Sequence, residues 1–167
     1  PLPLVDAAFT SVSATCVTGL TVVDTATAFS AVGKVVILLL IQLGGLGIMT
    51  FYTAGLVLIG RRLALKQEVA MAGILGESRR DLGRSLGQVR IVTLAFELLG
   101  AAALTALFRL HGDSRGAAAA QGVFTAISAF CNAGFALHTD NLVAFQRSPL
   151  VLHVVAALII AGGLGPA

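Results

Sequence analysis

Charge is what this chain has least of. Asp, Glu, Lys and Arg together make up 11% of its 167 residues, against 57% hydrophobic. A soluble domain carries about 25% charged residues. This sequence therefore lacks the means to cover a water-facing surface and reads as a membrane protein. Cysteine is nearly absent as well. Cys16 and Cys131 suffice for one disulfide but supply only part of a zinc ligand set. His111, His138 and His153 stand at no spacing from them that suggests a metal. Both cysteines read as small apolar residues.

The charge that is present is uneven. Seven of the eleven Lys and Arg residues fall between Arg61 and Arg90. Just before them, Val35 to Gly60 runs 26 residues without a charge, and about 20 apolar residues cross a bilayer. That run is expected to be a spanning helix. A second extends from about Val89 to Leu110, with Arg90 at its start and Glu97 inside; a third begins near Pro149. Two other apolar stretches, about Val5 to Ala14 and about Ala117 to Phe130, are too short to span and read as re-entrant or buried helices. The chain opens Pro1-Leu2-Pro3 and stops at Gly165-Pro166-Ala167 inside an apolar run, so it is expected to be a piece of a longer chain.

One phrase is written twice. Residues 9–19 read FTSVSATCVTG and residues 124–134 read FTAISAFCNAG, with Phe9/Phe124, Thr10/Thr125, Ser13/Ser128, Ala14/Ala129, Cys16/Cys131 and Gly19/Gly134 identical. Each phrase ends a short apolar stretch and is followed by polar residues. GGLG also recurs, at Gly44–Gly47 and Gly162–Gly165. The repeating unit is a short helix, a Cys-x-x-Gly turn, a polar exit and a long helix carrying GGLG, which points to a pseudosymmetric membrane assembly. Two spanning helices separate the phrases, and an even number of crossings returns the chain to the same face. The copies are therefore parallel. The basic segment between those helices is cytoplasmic by the positive-inside rule, so both turns open to the outside. The expected parts are 1–60 (turn and long helix), 61–87 (basic cytoplasmic linker) and 88–167 (long helix, turn and a further helix).

A short helix ending within the membrane leaves backbone carbonyls without helical partners, and such groups are tolerated only against protein or water. Thr15-Cys16-Val17-Thr18-Gly19 and Phe130-Cys131-Asn132-Ala133-Gly134 occupy those ends. A dehydrated cation is one partner for their carbonyls, as in potassium filters. Glycine admits backbone angles closed to other residues, and a helix C-terminus favours positive charge. Packing turns in a transporter are the competing reading.

SVSATCVTGLTVVDT followed by ILLLIQLGGLGIMTF resembles the first pore loop and following helix of the Trk/Ktr/HKT potassium transporter superfamily, above all its Ktr-type transmembrane subunit. SAFCNAGFALHTDNL resembles that family's second pore loop. The resemblance covers nearly the whole chain. It implies an all-α membrane fold of M1–P–M2 repeats, four in the parent chain, arranged with parallel pseudo-fourfold symmetry around a pore. This chain would hold P and M2 of the first repeat, then M1, P and most of M2 of the second, and alone it should not conduct. The filter glycines would be Gly19 and Gly134. Their carbonyl donors would be Cys16, Val17 and Thr18, and Cys131, Asn132 and Ala133. A glycine rather than serine at position 19 implies potassium over sodium. The resemblance further implies a homodimer of the parent chain, a cytoplasmic ring of nucleotide-binding regulatory subunits, and residence in a bacterial plasma or inner membrane. It implies no cofactor in this chain, no nucleic-acid partner and no enzymatic activity. After the second GGLG the chain departs from the family pattern, with Pro166 and Ala167 where an aromatic is usual.

Other polar residues have two readings each. Asp24 and Asp140 follow the turns and either concentrate cations at the outer mouth or cap the next helix. Asp6 fits the N-terminal dipole of the first short helix. Glu97 is an intramembrane acid, a functional candidate by default, or a partner of Arg90 or another polar neighbour. Gln42 is expected to bond a neighbouring helix, and GGLG to pack against a short helix rather than cradle a phosphate. The basic segment sets topology and meets anionic lipid, or docks a partner. Two other functions compete with this one. An aquaporin-like channel would use Asn132-Ala133-Gly134, but needs half-helices entering from opposite faces. A membrane enzyme using both thiols needs positive charge near them, and the nearest charges are acidic.

Overall fold

The computed structural model describes the backbone of residues 2–63 and 79–164 and the side chains of residues 2–47 and 90–164. All regular structure among these residues is helical. A short helix α1 (Leu4–Thr15) leads through one turn of helix, α2 (Thr25–Ala28), into the long α3 (Ala31–Leu63). The second half repeats the plan with one more helix in front: α4 (Arg79–Leu110), the short α5 (Arg115–Phe130), a 3-10 turn over Val143–Phe145, and α6 (Pro149–Leu164). The middle of the basic segment, residues 64–78, lies outside the described residues; its ends belong to α3 and α4.

Local chemistry sets where these helices start. Ser30 Oγ accepts from the Gly33 amide at 3.2 Å and opens α3. Ser114 Oγ accepts from the Ala117 amide at 3.3 Å and opens α5. Pro149 begins α6, where its missing N–H costs nothing. Asp6 sits in the first turn of α1, the end that favours negative charge. The hydroxyls of α1 turn back on their own helix: Thr10 donates to the Asp6 carbonyl, Ser11 to Ala7 and Thr15 to Ser11, each at 2.8 Å. These hydroxyls are thus satisfied within the helix itself.

The 33 residues of α3 span about 50 Å at helical rise, and the expected run from Val35 to Gly60 lies wholly inside it. Arg90–Leu110 of α4 is long and apolar enough to cross a membrane, and most of that stretch is not covered by the rest of the protein. Large side chains left bare on it, such as Ile91, Leu98 and Leu99, suit contact with lipid or further protein.

Glycines bring the helices together. A methyl group on Gly122 of α5 would collide with Thr105 of α4, and one on Gly100 of α4 would stand 2.7 Å from Leu158 of α6. The three helices of the second copy close on a core that includes Leu104, Phe108, Ala126, Val151 and Leu158. A second core crosses between the copies: Ala14, Ile37 and Ile41 from the first meet Phe124, Ala133 and Phe135 from the second.

Candidate functional site

Both repeated phrases fold into the same turn, hydrogen bond for hydrogen bond. In the first, the Cys16 amide bonds the Val12 carbonyl, Val17 bonds Ala14 and Thr18 bonds Ser13. In the second, Cys131 bonds Ile127, Asn132 bonds Ala129 and Ala133 bonds Ser128. The crossed pair that closes each helix is a Schellman ending. It requires a left-handed residue after the cap, supplied by Val17 (φ 55°) and Asn132 (φ 57°). Two residues on, Gly19 (φ 72°) and Gly134 (φ 74°) are left-handed again. Left-handed backbone is costly for a β-branched valine and nearly free for glycine, so Val17 shows how firmly the helix ending is imposed.

The turn bonds consume the carbonyls of Ser13 and Ala14, and of Ser128 and Ala129. The next carbonyls, of Thr15 and Phe130, lie against Gly44 of α3 and Gly162 of α6, so close that a Cβ on either glycine would clash with the oxygen. Here the expected packing role of GGLG is observed, twice and in register. The carbonyls of Thr15 and Phe130, also expected among the ion ligands, are on the helix side of the turn, each close against a glycine of the following long helix. Cys16, Val17, Thr18 and Gly19, and Cys131, Asn132, Ala133 and Gly134, follow as the strands leaving each turn.

The two strands meet at their glycines. A methyl group built on Gly19 would stand 2.8 Å from the Ala133 carbonyl oxygen and 3.2 Å from Gly134 Cα. The fold thus brings together two stretches 115 residues apart.

Each exit strand is pinned by the serine shared by both phrases. Ser13 Oγ is 2.9 Å from Thr18 Oγ1, and the buried Ser128 hydroxyl donates to the Phe135 carbonyl at 2.6 Å. Asn141 Nδ2 donates to the Gly134 carbonyl at 3.4 Å, and Asn132 Nδ2 reaches the Ile159 carbonyl of α6 at 3.5 Å. These supports escaped the sequence reading. Ser13 and Ser128 carried a signal, because they are identical in the two phrases. Asn141 carried none.

The polar residues beyond the turns resolve unevenly. Asp24 caps α2: Oδ1 accepts from the Ala26 amide and Oδ2 from the Thr27 hydroxyl, both at 2.8 Å. Those bonds, the Ala26 amide first, hold its carboxyl below the usual carboxylate range, with Thr139 of the other copy and Lys34 adding to the effect. Lys34 closes the same turn by donating to the Ala26 carbonyl at 2.6 Å. Asp140 is exposed, and its carbonyl accepts from the Val143 amide. Glu97 is buried and paired with Gln42 of α3, whose Nε2 donates to Oε2 at 3.2 Å; Arg90 is exposed. The cysteines are free, Cys16 exposed and Cys131 half-buried. Among the described residues no three His, Cys, Asp or Glu side chains gather as a metal site.

Comparison with known proteins agrees with this architecture. A family described as TrkH, cation transport protein, matches residues 1–165. The chain belongs to this family of cation transport proteins, and with them to the membrane. It is 41% identical over 169 residues to the Ktr system potassium uptake protein B of Bacillus subtilis, covering 99% of this chain and 37% of that protein. A Ktr system potassium uptake protein B of Vibrio alginolyticus is 40% identical over 166 residues, covering 98% of this chain and 36% of the relative. The potassium/sodium uptake protein NtpJ of Enterococcus hirae is 35% identical over 163 residues, covering 96% and 36%. The chain thus spans little more than a third of the length of the curated relatives it matches.

Proposed function

We propose that this chain is part of the pore-forming subunit of a potassium uptake system, and that its two turns contribute two strands of the selectivity filter. The observation that carries the reading is the duplicated turn. Two short helices end alike, and their outgoing strands converge at Gly19 and Gly134. The donors are the carbonyls of Cys16, Val17, Thr18 and Gly19, and of Cys131, Asn132, Ala133 and Gly134. Such carbonyls replace the water shell of a dehydrated cation, and each helix C-terminus adds partial negative charge. The short helices α1 and α5 would be re-entrant pore helices, with both strands facing outside and the basic segment facing the cytoplasm.

The contact between the copies supports a ring of further repeats. Ala14, Ile37 and Ile41 of the first copy meet Phe124 and Phe135 of the second. The positions equivalent to that phenylalanine pair in the first copy, Phe9 and Leu20, are 42% and 61% exposed. Of the positions equivalent to the receiving face in the second copy, Ala129 and Val155 are buried in that copy's own core and Ile159 is exposed, and all three line a groove beside Asn132 and Gly134. The contact is head-to-tail, and head-to-tail contacts close only as rings. The parent chain supplies the remaining repeats in this reading. Its dimerisation and a nucleotide-binding regulatory ring on the cytoplasmic face belong to the same proposal, in keeping with the Ktr system named for two relatives.

A sodium-conducting pore is the second reading, favoured by the potassium/sodium uptake name of one relative. Flux from liposomes holding the complete parent chain separates the possibilities. Selectivity for potassium over sodium that weakens in both Gly19→Ser and Gly134→Ser supports the filter assignment. Unchanged selectivity in both returns the turns to packing, and equal wild-type permeation of both ions favours the second reading.

A further inference from the structure

Glu97 is an acid in the apolar stretch of α4, 5% exposed. An ionisable group held there is costly and calls for a reason. Its surroundings supply one. One carboxylate oxygen accepts from Gln42 Nε2 of α3 at 3.2 Å, and the other lies 4.0 Å from Cys131 Sγ, the cap residue of α5. The carboxylate thus joins the long helix of the first copy to the turn of the second. Neighbouring contacts tighten the join. Phe96, one residue earlier, stacks on Phe130, one residue before Cys131, with ring centres 5.9 Å apart. A methyl group on Gly45 of α3 would stand 2.6 Å from the Cys131 sulfur, so α3 closes directly over the thiol.

We propose that Glu97 is a positioning residue for the second filter strand: by bridging Gln42 and Cys131 it fixes where the strand from Cys131 to Gly134 stands relative to the first copy. This rests on the filter reading above. Carbonyl selectivity depends on the placement of the donors, and Glu97 acts on it through Gln42 and Cys131. Its loss alters discrimination between ions more than the amount of folded protein.

The test uses the complete parent chain in liposomes, with potassium and sodium flux measured for wild type, Glu97→Gln, Glu97→Leu, Gln42→Leu and Gly134→Ser. Glu97→Gln keeps the shape and an oxygen for Gln42, and its potassium-to-sodium ratio is expected within about twofold of wild type. Glu97→Leu and Gln42→Leu each lower the ratio by about tenfold, the scale of one lost buried hydrogen bond. In a Cys131→Ala background, Glu97→Leu lowers it no further. Should Glu97→Leu fail to assemble, Gln42→Leu carries the same test from the other helix. Equal loss of both fluxes, with the ratio intact, reduces Glu97 to a packing residue and overturns the proposal. A ratio that falls in Gly134→Ser but not in the Glu97 and Gln42 variants overturns it while sparing the filter reading. An unchanged ratio in Gly134→Ser removes both.

Discussion

Gly19 and Gly134 stand against one another, with too little room for a side chain on Gly19 and a tight fit for one on Gly134. A methyl group on Gly19 would meet the Ala133 carbonyl oxygen at 2.8 Å, while one on Gly134 would meet Gly19 Cα at 3.2 Å. Both residues also hold a left-handed backbone. The two contacts are unequal, and the inequality is measurable. Gly19→Ala should lower the thermal unfolding temperature of the parent chain more than Gly134→Ala, because a backbone oxygen beside the first glycine cannot turn aside. Equal shifts would mean that backbone strain alone, shared by both, sets the cost.

The carbonyls of Thr15 and Phe130 impose a second requirement for glycine, on the long helices. Gly44→Ala and Gly162→Ala each place a methyl group on a carbonyl oxygen, and α3 or α6 must then move off the short helix. Either variant is expected to reduce the yield of folded protein in detergent size-exclusion chromatography.

Ser128 is buried and donates to the Phe135 carbonyl at 2.6 Å. Ser128→Ala leaves that buried carbonyl without its donor, at a cost of about 1–3 kcal/mol. Denaturant or thermal unfolding of the parent chain should register the loss. Ser11→Ala removes only a bond back to its own helix at Ala7 and should cost less.

His138 lies in the exit from the second turn, its ring edge-on to Phe108 and Phe145 at 5.3 and 5.0 Å. Burial pushes its pKa below the usual histidine value, against the pull of Asp113. The folded protein then binds the proton less readily than the unfolded chain. Stability from the neutral ring is full above about pH 6.5 and declines as pH falls toward the lower folded value. Unfolding temperatures measured between pH 8 and pH 5 should drop on acidification, and His138→Phe should flatten that dependence.

Asp24 titrates with the same sign in a lower window. Its carboxyl is depressed by the Ala26 amide bond, so its contribution is complete above the ordinary carboxylate pKa of about 3.9 and is lost as pH falls through the folded value. Asp24→Ala removes the cap at a cost of about 1 kcal/mol. Asp24→Asn, which can still accept from the amide, should keep most of it. Unfolding at neutral pH separates the two variants.

The scarcity of charge, the long apolar runs and the two copies of FTxxSAxCxxG were enough to specify a helical membrane unit with a duplicated turn. Those features are local or periodic. Apolar length sets where a helix can cross, and helix-ending chemistry sets where a turn falls, so both can be read along one dimension. The six identities even mark the residues that matter most: the serine that pins the exit strand, the cysteine at the cap and the glycine at the contact. What the tertiary structure decided is everything that depends on neighbours distant in sequence. Nothing in the order of residues shows that the Thr15 and Phe130 carbonyls lie against Gly44 and Gly162, or that Glu97 finds Gln42 rather than another polar neighbour. A polar side chain advertises its need for a partner by its chemistry alone, but which partner it meets is set by how the helices cross, and that is fixed by packing among all of them at once.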